Sequence, residues 1–447
     1  MQAGIAIGWA GLLLGTCLAF AKLPPRHAAL FVFFGGWLLA PVGPFPPGSS
    51  QAVHPYWILG AALPSDMLLH KAWVVPVCVL LGTLVFDRGA LRRLRPSGFD
   101  APVLAWCLWP LLQSTAFVEA AAPSGAVASA YLALSWGATW LVGRLYCADA
   151  EGLADLARAL ALTGAACLPL AVVEGLAGAQ LYGWFLEPHP FRDDGNERYW
   201  LWRPLGAFEN GNQYGLWVAL CALVAVWWAA SRRPASPFWH VVAATAMAVA
   251  VAAQSVGALM LAALGALLLW LSSRARPRLL LSGGLAAAVL LSAVYISGVV
   301  PVARLANDTA IGRAGVAAIK SIGRGSFTWR IAQDQRALPL ATERALAGSG
   351  RWDWWRPQTS RPWGLALLLL GQYGLIGMAL ASSTLLGPVV RLAWRVPRRP
   401  PLAPQALPWL LAIVVLLAML DAVLNSFVFF PALLIAGALA TPEPRTA

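Results

Sequence analysis

A chain of 447 residues that is 59% hydrophobic and only 11% charged, with a mean hydropathy of +0.67, has too little polar surface for a soluble globular protein. A formal net charge of +13 and a pI near 10.1 would suggest nucleic acid in a soluble protein, but here the basic residues follow the ends of apolar runs. Those runs are continuous and rich in Leu, Ala, Val and Trp, unlike the roughly ten-residue alternating segments of a transmembrane β-barrel, so the spans are expected to be helices.

In chain order, apolar runs close to bilayer length fall at 3–21, 27–43, 67–86, 101–118, 127–143, 153–175, 211–230, 238–254, 256–272, 279–298, 363–390, 405–421 and 427–441. The expected fold class is an all-α polytopic membrane protein with about 12–13 transmembrane helices and a large external loop between the tenth and eleventh. The first run lacks the positive leader of a signal peptide and reads as a retained span. Basic residues collect in alternate short loops: Lys22 and Arg26; Arg88, Arg92, Arg93 and Arg95; Arg144; Arg232 and Arg233; Arg274, Arg276 and Arg278; then Arg391, Arg395, Arg398 and Arg399. The positive-inside rule makes these cytoplasmic and puts the polar segments 176–203 and 299–362 on the external side. Four regions follow: N-terminal helices over 1–175, a signature external loop with central helices over 176–298, an external loop over 299–362, and C-terminal helices over 363–447.

The six cysteines lie in or beside apolar runs without CxxC spacing, and the five histidines form no metal-binding motif, so no metal or cofactor is expected. Phosphate-binding glycine loops are missing as well, which argues against ATP-driven transport by this chain. Polar chemistry gathers instead after Glu174. Residues 299–362 carry ten basic residues against Asp308, Asp334, Glu343 and Asp353, a balance that suits either an anionic ligand or lipid headgroups. Within them "SFTWRIAQDQRALPLATERALAGSG" (326–350) has helical apolar spacing and is expected to form an amphipathic helix that presents Arg330 and Arg336 from one region. The following "RWDWWRPQTSRPW" is dense in Trp and Arg; Trp352, Trp354 and Trp355 are either interfacial anchors or sugar-stacking faces.

"RPLGAFENGNQYG" (203–215) resembles the Arg-x-x-Gly-x-Phe-x-x-x-Asn signature of the O-antigen ligase and O-antigen polymerase superfamily. "WRIAQDQRALPLATERALAGSG" is similar to its Arg-helix-Pro-x-x-Gly-x-Gly loop, "LLGQYGLIGM" (369–378) to its Gly-Leu-Ile-Gly helix start, and "DAVLNSFVFFP" (421–431) to its closing spans. The resemblance implies a GT-C-like, metal-independent, inverting glycosyltransferase on the external (periplasmic) face of a bacterial inner membrane. Its donor would be a glycan on undecaprenyl diphosphate, and its acceptor a lipid A–core sugar or another saccharide; membrane lipids and other polysaccharide-assembly proteins are the further partners, and nucleic acid is not. Carried onto this sequence, it assigns Arg203 and Arg330 to the diphosphate, because a planar guanidinium binds phosphate oxygens in pairs. Asn212 would orient substrate or hold the helix start, and Gly206 would let the backbone come close. Arg336, Arg356, Arg361, Trp352 and Trp355 complete the substrate-binding candidates.

One departure matters. Ligases of this family place a His-Asn pair before the Gly-Leu-Ile-Gly helix, and here those positions are Trp363 and Gly364. Glu209, Asp334 and Asp353 are the candidate replacements for accepting the acceptor's proton, with His189 a further option. The structural alternative for the first motif is that Arg203 and Glu209 pair and cap a helix starting near Gly211. A flippase or transporter of lipid-linked oligosaccharide, or an inactive assembly protein, are the alternative functions; a transporter would carry charges deep in several spans, whereas these spans are nearly free of them.

Overall fold

The computed structural model describes residues 3–42, 69–117, 125–178, 181–186, 197–231, 234–272, 277–300, 302–321, 326–355, 361–395 and 406–441. Its N-terminal helices are α1 (Ala3–Lys22), α2 (Pro25–Leu39), α3 (Lys71–Phe86), α4 (Arg88–Arg93), α5 (Asp100–Ala116), α6 (Gly125–Leu132), α7 (Ala138–Tyr146), α8 (Ala150–Ala166), α9 (Leu168–Ala177) and α10 (Leu181–Phe185). A π-helical segment, Ala133–Gly137, joins α6 to α7. A short antiparallel ribbon of β1 (Glu197–Arg198) and β2 (Leu201–Trp202) leads into α11 (Gly211–Ser231), α12 (Pro237–Ala252), α13 (Val256–Ser272) and α14 (Pro277–Ser297). The polar region folds as α15 (Val302–Asp308), α16 (Ala310–Ser321) and α17 (Ser326–Glu343), followed by α18 (Leu365–Arg395), α19 (Leu407–Asp421) and α20 (Phe430–Leu439).

Among the described residues, Gly4–Lys22, Gly125–Tyr146, Ala150–Ala177, Gly211–Ser231, Leu280–Ser297 and Leu365–Trp394 are each long and apolar enough to cross a membrane. The architecture is that of an all-α membrane protein. Continuous apolar runs fold this way because a helix satisfies its own backbone N–H and C=O groups where no water can. The central helix is α11, buried along nearly its whole length among α8, α12 and α13. The C-terminal helices α19 and α20 are buried too, and α20 crosses α7 where glycines meet backbone. A Cβ on Gly437 would run into the Trp140 carbonyl, and one on Gly143 into the Leu434 carbonyl, so small residues let these two backbones touch.

Two runs expected to be single helices are broken. The 153–175 run divides at Cys167, after which Pro169 begins α9 without an N–H to continue the ladder. The 363–390 run falls on α18, whose backbone leaves the helix at Gly374 (φ 70°, ψ −174°), a conformation that glycine adopts without a Cβ penalty. The turn after α17 fills that break. Leu375 N donates to Ala345 O (2.7 Å), Ile376 N to Leu346 O (3.2 Å), Ser349 N to Gly371 O (2.9 Å) and Gly350 N to Gln372 O (2.9 Å). Gln113 of α5 adds Nε2 bonds to Ala347 O and Gln372 O.

The amphipathic helix expected over 326–350 is α17, which stops at Glu343. Its buried stripe is Ile331, Asp334, Ala337 and Ala341, a helical face that includes a carboxylate. Arg330 and Arg336 do not act from one region: six residues apart, they point to different sides, Arg330 half-buried and Arg336 exposed.

Gly437→Val should lower stability by about 2 kcal/mol or more, because the added atoms meet backbone that cannot shift. Gly15→Ala in α1, where a Cβ meets nothing, should be neutral or mildly stabilising. Thermal unfolding of the two variants in detergent checks both, and equal midpoints would contradict the tight α7–α20 crossing.

Candidate functional site

The approach to Arg203 is pinned from three sides. Gln254, at the α12–α13 turn, donates from Nε2 to Leu201 O (3.0 Å) and Trp202 O (3.1 Å). Glu174, buried on α9, accepts from Leu205 N (2.7 Å), Gly206 N (2.9 Å) and Leu181 N (3.0 Å), gathering the loop onto one carboxylate. Gly206 sits at φ +55° with its missing Cβ facing Leu170, so the close approach it permits is of its own loop to α9. Asn210 caps α11: its Oδ1 accepts from Asn212 N and Gln213 N, both at 2.9 Å. The helix start expected of Asn212 thus belongs to Asn210, and Asn212 instead accepts from Arg203 Nη2 (2.9 Å). Arg203 is buried and lies across Gly211, where a Cβ would stand 2.6 Å from Cδ and Cζ. Its guanidinium therefore rests on the first turn of α11, at the positive end of the helix dipole.

Glu209 heads a second buried group. Its Oε1 lies 3.0 Å from His70 Nε2, and its Oε2 accepts from Gln213 Nε2 (2.5 Å), while Gln213 Oε1 accepts from the Glu209 N–H (3.0 Å). His70 Nδ1 accepts from Ala72 N (3.1 Å), which puts the ring proton of the neutral form on Nε2, toward Glu209. Next to it Lys71, fully buried, donates to Trp37 O (3.3 Å) and to Ala207 O, with its ammonium over the rings of Trp37 (5.1 Å) and Phe208 (4.9 Å). Neither His70 nor Lys71 was among the candidates drawn from the sequence. The available signal was a His-Lys pair opening an apolar run, where an ionisable residue marks a site by default.

The third group surrounds Trp363. Arg330 Nη1 donates to Asn425 Oδ1 (2.6 Å), and its guanidinium lies 5.2 Å from the Trp363 ring centre; the Arg361 guanidinium lies 4.2 Å from the same centre. Two guanidiniums thus share one indole. The backbone there is held by Asp334, which accepts from Trp363 N, from Gly364 N (3.2 Å) and from Tyr295 OH (2.8 Å). Burial pushes the Asp334 carboxyl up to about 6, with these hydrogen bonds and nearby Arg330 pulling the other way. With both oxygens occupied by donors of the chain itself, Asp334 serves here as a pin for residues 363–364. Asn425 is a further residue the sequence reading missed: besides holding Arg330, it donates from Nδ2 to Asp421 Oδ1 (2.8 Å) and accepts from Leu365 N at its carbonyl (3.0 Å).

The groups share one scaffold. Phe429 packs on Trp217 of α11 (5.6 Å) and Phe430 on Trp37 (4.9 Å), while Trp217 meets Phe208 (5.2 Å). The segment that carries Asn425 therefore continues into the aromatic cluster beneath Arg203, Glu209 and Lys71. The remaining candidates lie elsewhere. Asp353 takes a two-point contact from Arg351 (Nε 3.1 Å, Nη2 3.3 Å). Trp354 and Trp355 are buried and Trp352 half-buried, so packing, not an open sugar-stacking face, occupies Trp354 and Trp355. Arg356 and His189 lie outside the described residues.

No protein-family model matches the chain, and no curated protein matches it. The family resemblance rests on the motif residues themselves.

The Asp334 carboxyl is raised from an unfolded value near 4, so the folded state binds its proton more tightly. Its contribution to stability is complete below about pH 4 and is lost as pH rises through about 6, on the order of 3 kcal/mol in all. Thermal melts should show wild type losing more stability than Asp334→Asn between pH 4.5 and 7; parallel curves would contradict the assignment.

Proposed function

We propose that this chain is an inner-membrane glycosyltransferase of surface-polysaccharide assembly. It would transfer a glycan from an undecaprenyl-diphosphate carrier to a saccharide or lipid A–core acceptor on the periplasmic face. The observation that carries this reading is the convergence of Arg330 and Arg361 on Trp363, with Arg330 fixed by Asn425. Arg203, the other arginine of the motifs, is held in the same manner by Asn212. In each case a side-chain carbonyl orients the fork without neutralising its charge. A diphosphate offers paired oxygens to guanidiniums oriented in this way.

The chemistry follows from that geometry. The acceptor hydroxyl oxygen attacks the anomeric carbon as its bond to the diphosphate oxygen breaks, and the leaving group departs with the electron pair. Arginines already oriented and partly desolvated stabilise the negative charge that grows there, without reorganising during the step. The hydroxyl proton goes to a carboxylate. We assign this step to Glu209: its two oxygens face the side chains of His70 and Gln213, which can turn aside, whereas Asp334 is held by backbone N–H groups and Tyr295.

Reconstituted into proteoliposomes with an undecaprenyl-diphosphate oligosaccharide and a saccharide acceptor, wild type should extend or transfer the glycan. Arg203→Ala and Arg330→Ala should each lower transfer by about 100-fold or more, as removal of a charge-stabilising donor does. Glu209→Gln should lower the rate while leaving donor binding intact. Movement of labelled donor across the bilayer without any transfer would overturn the reading in favour of a flippase.

A further inference from the structure

Away from Trp363, a cleft of about 610 Å³ opens between the C-terminal end of α17 and the turn over 349–354. We propose that it binds a neutral sugar ring of the acceptor saccharide, an inference that rests on the transferase reading for the identity of the ligand but not for its chemistry. The volume falls within the range of small-molecule sites.

The wall on one side is rigid. Ser349 N and Oγ both donate to Gly371 O (2.9 Å each), Gly350 N donates to Gln372 O, and Trp354 donates from Nε1 to Leu368 O (3.3 Å) while its ring lies flat against Gly371. Arg351 and Asp353 project from this wall as a two-point pair. The opposite lip carries Glu343 and Arg344, both exposed, whose side chains have no hydrogen-bond or ion-pair partner among the described residues. The cleft is therefore lined by two guanidiniums and two carboxylates, with no net charge.

That balance selects the ligand class. An anion would meet Glu343 and Asp353 as well as the arginines, and a cation would meet the reverse. A polyol is suited to both, because each hydroxyl donates to a carboxylate and accepts from a guanidinium at once. Leu340 and the edge of Trp354 add apolar surface for the ring's C–H face. Gly371, in the N-terminal part of α18, lines the cleft, which therefore adjoins a helix long and apolar enough to cross a membrane.

The test uses the full chain in nanodiscs and saturation-transfer NMR with D-glucose, D-galactose, N-acetylglucosamine and inorganic pyrophosphate as probes. At least one neutral sugar should give saturation transfer at roughly millimolar concentration, and Arg344→Gln or Glu343→Gln should weaken it at least fivefold. Both residues are exposed, so these variants keep the fold; Asp353→Asn should act in the same direction. Arg203→Ala should leave sugar binding unchanged. Absence of binding by every sugar at tens of millimolar, binding unaffected by both lip variants, or displacement of bound sugar by pyrophosphate would each overturn the proposal. The two readings fail separately: sugar binding here without any transfer sinks the transferase, and transfer without binding here sinks the cleft.

Discussion

Asn425 is the junction on which the polar half of this protein depends. One amide side chain accepts from Arg330 and donates to Asp421, and the same residue's carbonyl takes the first N–H of α18. It joins α17, α18 and α19 at one point. The amide fixes the direction of a half-buried guanidinium, which lies with Arg361 on the same indole. Asp334 performs the matching task for the backbone, holding residues 363–364 while Tyr295 of α14 secures its second oxygen.

The same rule explains the broken helix. A helix that unwinds must find other partners for the N–H and C=O groups it frees, and α18 finds them in the turn that follows α17. Gly348 (φ +80°) and Gly374 (φ +70°) make the contact feasible, since a Cβ on either would collide with the other strand of this pairing. Two motif fragments separated along the chain, "AGSG" and "QYGLIG", are thereby one structural unit. The cleft beside it inherits its rigidity from those backbone bonds.

Charge is handled in three ways around the site. Glu174 is consumed by backbone N–H groups and shapes a loop. Glu209 is offset by Lys71 and faces His70, forming a buried ionic group between α3 and the start of α11. Arg203 and Arg330 each donate to a neutral amide that orients them, and Arg330 also lies near the Asp334 carboxyl. The last arrangement suits an anionic ligand, because a neutral amide partner does not compete with it.

Hydropathy alone determined the all-α membrane class and the place of several helices: the run 211–230 is Gly211–Ser231, and 256–272 is Val256–Ser272, whereas the breaks at Cys167 and Gly374 were not visible in it. A helix is decided by its own residues, through bonds that span four positions, so a linear reading finds it. Arg203 and Glu209 were also visible, as ionisable groups beside an apolar run, and Arg330 through the motif of the segment 326–350. Their partners were not. Asn425 meets Arg330 across 95 residues, and His70 meets Glu209 from another helix altogether; neither pairing has a local period to betray it. The same holds for Asp334, read from sequence as a candidate base and found as a backbone pin, and for Trp355, read as an interfacial anchor or a sugar-stacking face and found in the core. Whether a polar or aromatic side chain meets ligand or protein depends on what packs over it, and that only the tertiary structure decides.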